Sequence, residues 1–429
     1  MLIEFKVGNF RSFDSVQTLS MVAADSHNLR KIAVQTEADL PLLKVSGIYG
    51  ANASGKSNLF TALKFLRTLV ISSFQNSDPL SKINVQRFAL KKQSLKDVPA
   101  IFEVSFTAGS KGNVKIYTYH VELVPERIQK EQLQIDGEET FLRNGQNFDV
   151  DESQVPESAT KQQLTKPNTL FISVLAATNT QVGLDVMSFF RNEIVPVNGL
   201  ENKIEPATKE MLESTDKILL LKRLHEADLT INDVNVEHNQ FSILDEDNNK
   251  VDLQKLPPRL RNQVLSQSTR IKSTHNVYDD EGKVVGKHDF DMETDESKGT
   301  QIFLNVLGPI LSALEQGKIV LADEFGTAMH PLMAAYLIKL FQNEQNTNSA
   351  QLIFNTQDVS TMDHKTLRTD QIWFAEKDRQ EATRLLSLSD YRRNGKPIRS
   401  DLVYNRQYLR GSFGAIPIIR KHPVGEGDE

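Results

Sequence analysis

Residues 45–59, VSGIYGANASGKSNL, constrain the fold more than any other stretch of this chain. Gly50, Gly55, Lys56 and Ser57 complete G-x-x-x-x-G-K-[ST], the phosphate-cradling P-loop. An apolar run ahead of it (Leu42, Leu43, Val45, Ile48, Tyr49) predicts a buried strand. Behind it, Asn58–Val70 predicts a helix with Leu59, Leu63, Leu66 and Val70 on one face. A strand, a glycine-bounded loop and a helix N-terminus aim several backbone N–H groups and a positive dipole end at one point, which suits a polyphosphate. In such a loop Lys56 reaches the β- and γ-phosphates and the Ser57 hydroxyl ligates Mg²⁺. Asn52 and Ser54 in the loop, and Asn58 on the helix, belong to the same expected nucleotide-binding set.

A second stretch fits the first. Lys318–Phe325, KIVLADEF, is an apolar strand ending in two acids, the Walker B pattern. Asp323 is expected to hold Mg²⁺, directly or through water, and Glu324 to orient or deprotonate the attacking water. Buried-strand acids also occur as structural pairs, but downstream of a P-loop the functional reading is favoured. Glu296–Thr300 (ESKGT) precedes a periodic helix carrying Ile302, Phe303, Val306, Leu307, Ile310, Leu311 and Leu314. Taken alone, Ser297 and Gly299 there read as an N-cap that also aims N–H groups outward.

The chain of 429 residues has room for two or three domains, and 39% hydrophobic and 25% charged residues suit a soluble globular protein. A net charge of −6 excludes a global basic field drawing the chain to nucleic acid, so any such site is local. With no cysteine, disulfides and thiolate metal sites are excluded, in keeping with a reducing cytoplasm. No signal-like N-terminus or membrane-spanning apolar run is present, so the expected location is cytoplasmic, with no membrane partner.

In order along the chain, residues 2–22 predict two strands, with Arg11 and Ser12 in the turn between them. A turn arginine is usually solvated, and a functional role is the lesser reading from local pattern. Val85–Leu90, Ile101–Thr107, Val114–Leu123, Gln132–Ile135 and Phe141–Val150 predict an antiparallel β section. Gln86 reads as an ordinary exposed strand residue before it reads as one touching a metal or its water. Residues 151–168 predict a surface loop, Gly183–Ile194 and Thr208–Ala227 predict helices, and Phe241–Val251 and Val277–Phe290 predict hairpins. The basic cluster Arg259, Arg261, Arg270 and Lys272 reads first as a solvated face and second as a nucleic-acid or partner surface. Pro331–Gln342 predicts a helix. Ala350–Asn355 predicts a strand with Thr356, Gln357 and Asp358 at its carboxyl edge, where α/β sheets place ligands.

NFRSF at the start, GANASGKSN, the S-x-G before a helix, the late Walker B strand and the terminal YLRGSFGAIP together resemble a known family. It is that of the compact ABC-type AAA ATPases of bacterial anti-phage and abortive-infection systems. These are the RloA-like proteins, related to the PARIS and Septu ATPase subunits and more distantly to SMC and OLD proteins. The resemblance covers about 1–125 and 290–418. It implies an α/β fold: an ABC-type P-loop ATPase head with an N-terminal antiparallel β section and an inserted α/β middle segment. The expected division is 1–150 and 291–418 for the two parts of the ATPase core, 151–290 for the insert and 419–429 for a tail. It further implies ATP and Mg²⁺ sandwiched between two protomers, in a dimer or a dimer-based higher assembly. Ser297 and Gly299 of one protomer would then meet the γ-phosphate held by the other, and Arg11 becomes a nucleotide-proximal residue. Gly326–His330 stands where the D-loop would be. Gln357 stands where a switch histidine is expected. Glutamine hydrogen-bonds a phosphate or water but carries no charge, so slow or partner-gated hydrolysis is expected; fast, partner-free turnover by the purified protein would count against it.

No second catalytic constellation accompanies the ATPase motifs, so the output is expected from a partner or from nucleic-acid clamping. By resemblance, the leading reading is the switch ATPase of a phage-defence system, answering a phage-derived trigger and controlling an effector such as a toprim- or HNH-type nuclease. The alternative is an SMC-like DNA-maintenance ATPase that clamps DNA. The lack of a long heptad run and the acidic composition weigh against it.

Overall fold

The computed structural model describes residues 1–24, 33–35, 40–75, 78, 81–91, 98–109, 112–200, 204–238, 269–393, 396–398 and 402–416. Two compact units emerge: Met1–Asn198 with Ala313–Thr327 and Leu337–Glu429, and Gly199–Ser312 with Ala328–Tyr336.

The first unit is built on two sheets. The N-terminal alternation Leu2–Gly8 pairs antiparallel with Gln17–Ser20 on one side and with Ala100–Ala108 on the other. Lys115–Val124, Arg127–Ile135, Glu138–Asn144 and Asn147–Val150 extend this into a seven-stranded antiparallel sheet. The second sheet has six strands in the order Ile194–Asn198, Ile319–Asp323, Gln351–Thr356, Val45–Tyr49, Ile372–Lys377 and Thr383–Ser387. The first five run parallel and the last antiparallel. Every residue of Val45–Tyr49 is buried, as a central strand covered on both faces requires. The helix Lys56–Ser72 follows, and its apolar face (Leu59, Phe60, Leu63, Leu66, Val70) lies in one core with residues of both sheets, including Phe5, Phe102, Ile48 and Leu321. Gln351, fully buried, stitches the sheets: its side chain accepts from Leu2 N at 2.6 Å and donates to the carbonyls of Leu2 and Leu43, each at 3.0 Å.

Residues 151–198, assigned to the middle segment from sequence, sit in the first unit. Phe171, Ile172, Leu175, Val186, Phe189 and Phe190 are buried in its core. A buried ion pair locks them there. Glu131 accepts from Tyr119 Oη at 2.8 Å, from the N–H groups of Phe171 and Ile172 at 2.7 and 2.9 Å, and from Arg143 Nη1 at 3.2 Å. Arg143 in turn donates to the carbonyls of Gly145, Lys166 and Thr169. Both side chains are fully buried.

The second unit holds a three-stranded antiparallel sheet, Asp233–His238, Thr269–Tyr278 and Val284–Asp291, with the helices Pro206–Leu212 and Lys217–Glu226. The helix Lys298–Gln316 begins here and contains Pro309, which supplies no N–H for the carbonyl of Asn305. Thr208 repairs this: its hydroxyl donates to the Asn305 carbonyl at 3.2 Å. The missing Cβ of Gly308 makes the approach possible, since one built there would lie 2.2 Å from Thr208 Oγ1.

Several local expectations are corrected. Val85–Leu90 forms no strand; its backbone is spent elsewhere, with the Gln86 carbonyl accepting from Arg11 N at 2.7 Å. The helix expected over 208–227 is broken at Glu213–Asp216, where a serine–threonine–aspartate run favours local hydrogen bonds. The 151–168 loop carries a short helix, Ser158–Leu164, and Phe141–Val150 is a hairpin turn with its flanking strands. Pro331–Gln342 is the helix its periodicity indicates, and the second hairpin turns at Asp279–Gly282 as expected. Phe241–Val251, Arg259 and Arg261 lie outside the described residues. Arg270 and Lys272 are on the three-stranded sheet, where Lys272 pairs with Asp291 at 3.6 Å.

Candidate functional site

The P-loop leaves the buried strand at Tyr49 and enters the helix at Lys56. Gly50 and Gly55 have φ of +156° and +101°, and any side chain would collide. A Cβ on Gly50 would lie 2.3 Å from the Ala375 carbonyl oxygen, and one on Gly55 would lie 2.0 Å from Thr383 Oγ1. The two motif glycines are therefore required by the neighbouring strands as well as by the loop's own turn. Lys56 folds back over the loop, its ammonium donating to the carbonyls of Gly50 and Ala51 at 2.8 and 2.9 Å. Burial pushes its pKa down, and the Glu324 and Asp323 carboxylates oppose that fall.

Ser57 and Asp323, far apart in sequence, meet at the edge of the parallel sheet: Ser57 Oγ donates to Asp323 Oδ1 at 2.9 Å. Asn355, fully buried on the strand between them, donates to the same Asp323 oxygen at 2.7 Å and accepts from the Glu324 N–H at 3.0 Å. One amide thus sets both acids. Glu324 has φ of +54°, a left-handed conformation uncommon for a residue with a side chain. Such strain persists where surrounding bonds over-determine it, often at working sites. Its carboxylate is half-buried, with Thr327 Oγ1 at 3.5 Å.

Arg11 also has a left-handed backbone, φ +48°, and is brought to the start of the P-loop helix. Its guanidinium donates to Asn58 Oδ1 at 3.3 Å and to Gln86 Oε1 at 2.8 Å. Asn58 donates onward to Ser12 Oγ at 2.8 Å. Thr383 Oγ1 lies 2.8 Å from both the Ser54 carbonyl, to which it donates its one proton, and Ser12 Oγ, from which it accepts, tying the N-terminal turn to the P-loop. Asn52 is exposed at the loop tip, and Gln357 is exposed just past its strand. Gln86 is thus an arginine partner. Ser297 and Gly299 belong to the second unit, where Ser297 Oγ caps the helix by accepting from Thr300 N at 3.2 Å. His330, also there, accepts from Leu332 N at 3.3 Å.

Sequence reasoning gave no role in the site to Asn355, Thr383 or Ser12. Asn355 left a signal: with Gln351 it puts two polar residues on one face of a buried strand, against β-propensity. Thr383 and Ser12 left none, because nothing local marks a contact between chain ends.

A phosphate-bearing ligand with a divalent cation fits this arrangement. Ser54 Oγ is buried inside the loop with no hydrogen-bond partner, and the hydroxyl and carboxylate of Ser57 and Asp323 are hard oxygen donors of the kind Mg²⁺ takes. The profile of the family described as "AAA domain, putative AbiEii toxin, Type IV TA system" matches residues 45–363, spanning the P-loop, the Walker B strand and Asn355. The chain belongs to this family. As an AAA domain of that kind, it has the nucleotide-binding P-loop architecture its motifs indicate. No curated protein sequence matches it. Among solved structures it is similar to the SMC head domain from Thermotoga maritima, at 12% identity and a TM-score of 0.40 over 90% of this chain and 98% of that one. It is also similar to the Smc head domain with an extended coiled coil bound to the C-terminal domain of ScpA, derived from Pyrococcus furiosus. There the identity is 11% and the TM-score 0.38 over 90% and 96% of the two chains.

Proposed function

We propose that this AAA domain is an ATP-hydrolysing switch subunit of a bacterial anti-phage defence system, controlling a partner effector. The observation that carries the ATPase part is the junction at Asp323, where Ser57 and Asn355 converge on one carboxylate oxygen beside Glu324. When bound, Mg²⁺·ATP supplies the electrophilic phosphorus and neutralises charge on the leaving phosphates. With the ligand bound, Lys56 would exchange its loop carbonyls for phosphate oxygens, and Ser57 and Asp323 would be the residues that hold the cation. Asn355 holds Asp323 and the Glu324 backbone, leaving the Glu324 carboxylate to accept a proton from water. Gln357 at the strand end and, from a second copy, Ser297 and Gly299 complete the set in this reading. Two copies closed on ATP differ in free energy from two copies apart, and hydrolysis ends that difference. The family's description names a toxin and a Type IV toxin–antitoxin system; in this reading the output runs through a partner, for which a toprim- or HNH-type nuclease is the effector proposed.

Lys56→Ala is expected to lose ATP binding and biological activity together while keeping its thermal transition. Equilibrium titration with a fluorescent ATP analogue checks this, and undiminished binding removes Lys56 from the site. The partner is tested by native co-purification of tagged Glu324→Gln with ATP and Mg²⁺ present throughout. A stoichiometric second protein bearing nuclease-like acids supports the defence switch. Recovery of DNA alone, lost at high salt, replaces it with the DNA-clamping reading.

A further inference from the structure

The terminal YLRGSFGAIP motif plays no part in the chemistry above, yet its described residues, Tyr408–Ile416, reach the P-loop through Ala415. The helix Tyr404–Leu409 leads into a tight turn with φ of +77° at Gly411, +67° at Gly414 and +55° at Ala415. The rings of Tyr408 and Phe413 both stack on Phe374, at centroid distances of 5.4 and 5.6 Å. The backbone of Ala415 is satisfied on both sides. Its N–H donates to Glu376 Oε2 at 3.0 Å, and its carbonyl accepts from Tyr408 Oη at 2.8 Å and from Ala51 N at 3.1 Å. Ala51 is the first residue after Gly50 in the P-loop. Gly414 sits at φ +67°, a conformation that favours glycine, and a Cβ there would lie 2.6 Å from Glu376 Oε2, so a side chain would strain the turn and push that carboxylate aside.

We infer that Arg410–Ala415 is a clasp that sets the nucleotide affinity of the P-loop, with Glu376 and Tyr408 as its positioning residues. A loop that binds phosphate through backbone N–H groups must keep its peptides oriented, and GANASG has few side chains with which to do so. The clasp orients the Ala51 peptide from outside the loop. An alanine held at φ +55° marks the turn as over-determined by its partners, Glu376, Tyr408 and the P-loop. Coupling of this kind is reciprocal: a clasp that favours ATP binding is itself stabilised by bound ATP. The inference rests on the P-loop's being a nucleotide site.

The test uses the full chain with Mg²⁺, a fluorescent ATP analogue, and amide hydrogen exchange read over residues 408–415. Gly414→Ala is expected to weaken binding about 10-fold or more and Tyr408→Phe about 5-fold, with thermal transitions near that of the unaltered protein. Glu376→Gln, whose amide oxygen still accepts from Ala415 N–H, is expected to bind within about 2-fold of the unaltered protein. Bound ATP is expected to slow exchange across the clasp. Unchanged affinity in Gly414→Ala and Tyr408→Phe, or exchange indifferent to ATP, overturns the clasp. Should Gly414→Ala fail to fold, Tyr408→Phe and the exchange measurement decide. An unaltered protein that binds no ATP refutes the nucleotide reading instead, so the two failures are told apart.

Discussion

Glu324→Gln is expected to cut ATP turnover on the order of 10²-fold or more while leaving ATP bound. The amide has nearly the shape of the carboxylate, and the bond from the Glu324 N–H to Asn355 Oδ1 involves only backbone on that side. Ser57, Asp323 and Lys56 keep their places, so affinity is retained. What is lost is a group able to take a proton from water. Loss in kcat with unchanged affinity is the mark of an interaction made only in the transition state. Single-turnover and steady-state rates measured beside equilibrium binding separate the two. Near-normal turnover would take Glu324 out of the catalytic role and leave its left-handed backbone as a feature of the turn alone.

The second large effect concerns stability. Glu131→Ala is expected to destabilise the first unit by about 3–5 kcal/mol, a large share of the roughly 5–15 kcal/mol by which domains are stable. The substitution strands the buried Arg143 guanidinium without its counter-ion and leaves Tyr119 Oη and the N–H groups of Phe171 and Ile172 without an acceptor. A drop in the thermal transition on the order of 10 °C follows for a unit of this size. Glu131→Leu combined with Arg143→Met removes both charges and is expected to recover only the part of the loss due to the stranded guanidinium, since Tyr119 Oη and the two N–H groups still lack an acceptor and three carbonyls lose their donor. Equal losses in the single and double variants would show that the orphaned hydrogen-bond donors, not the unpaired charge, govern the site. Residues 166–172 hang on this pair, and with them the helical segment that covers the antiparallel sheet.

What the sequence by itself determined is local and backbone-encoded. Gly50, Gly55, Lys56 and Ser57 need only their own spacing to define a loop, and KIVLADEF needs only its apolar run and terminal acids to define a strand that delivers carboxylates. The period-2 and 3.6 patterns likewise placed the paired N-terminal strands, the P-loop helix and Pro331–Gln342. Local pattern also misled where partners far away decide the outcome. Val85–Leu90 alternates like a strand, but its backbone is taken by the turn at Arg11. No local pattern shows that Phe171 and its neighbours are tied through Glu131 and Arg143 to the antiparallel sheet.

Only the tertiary structure decided which residues stand behind the motifs. Asn355 reaches Asp323 across adjacent strands, Thr383 reaches Ser12 and Ser54 across the molecule, and Ala415 reaches Ala51 from the other end of the chain. Each is one hydrogen bond between residues separated widely in sequence. A spacing rule cannot carry such a contact, because its partner is chosen by how the strands are ordered and not by any repeat along the chain. Strand order places Gln351–Thr356 between the P-loop strand and the Walker B strand, and that one choice makes Asn355 the residue that holds both acids.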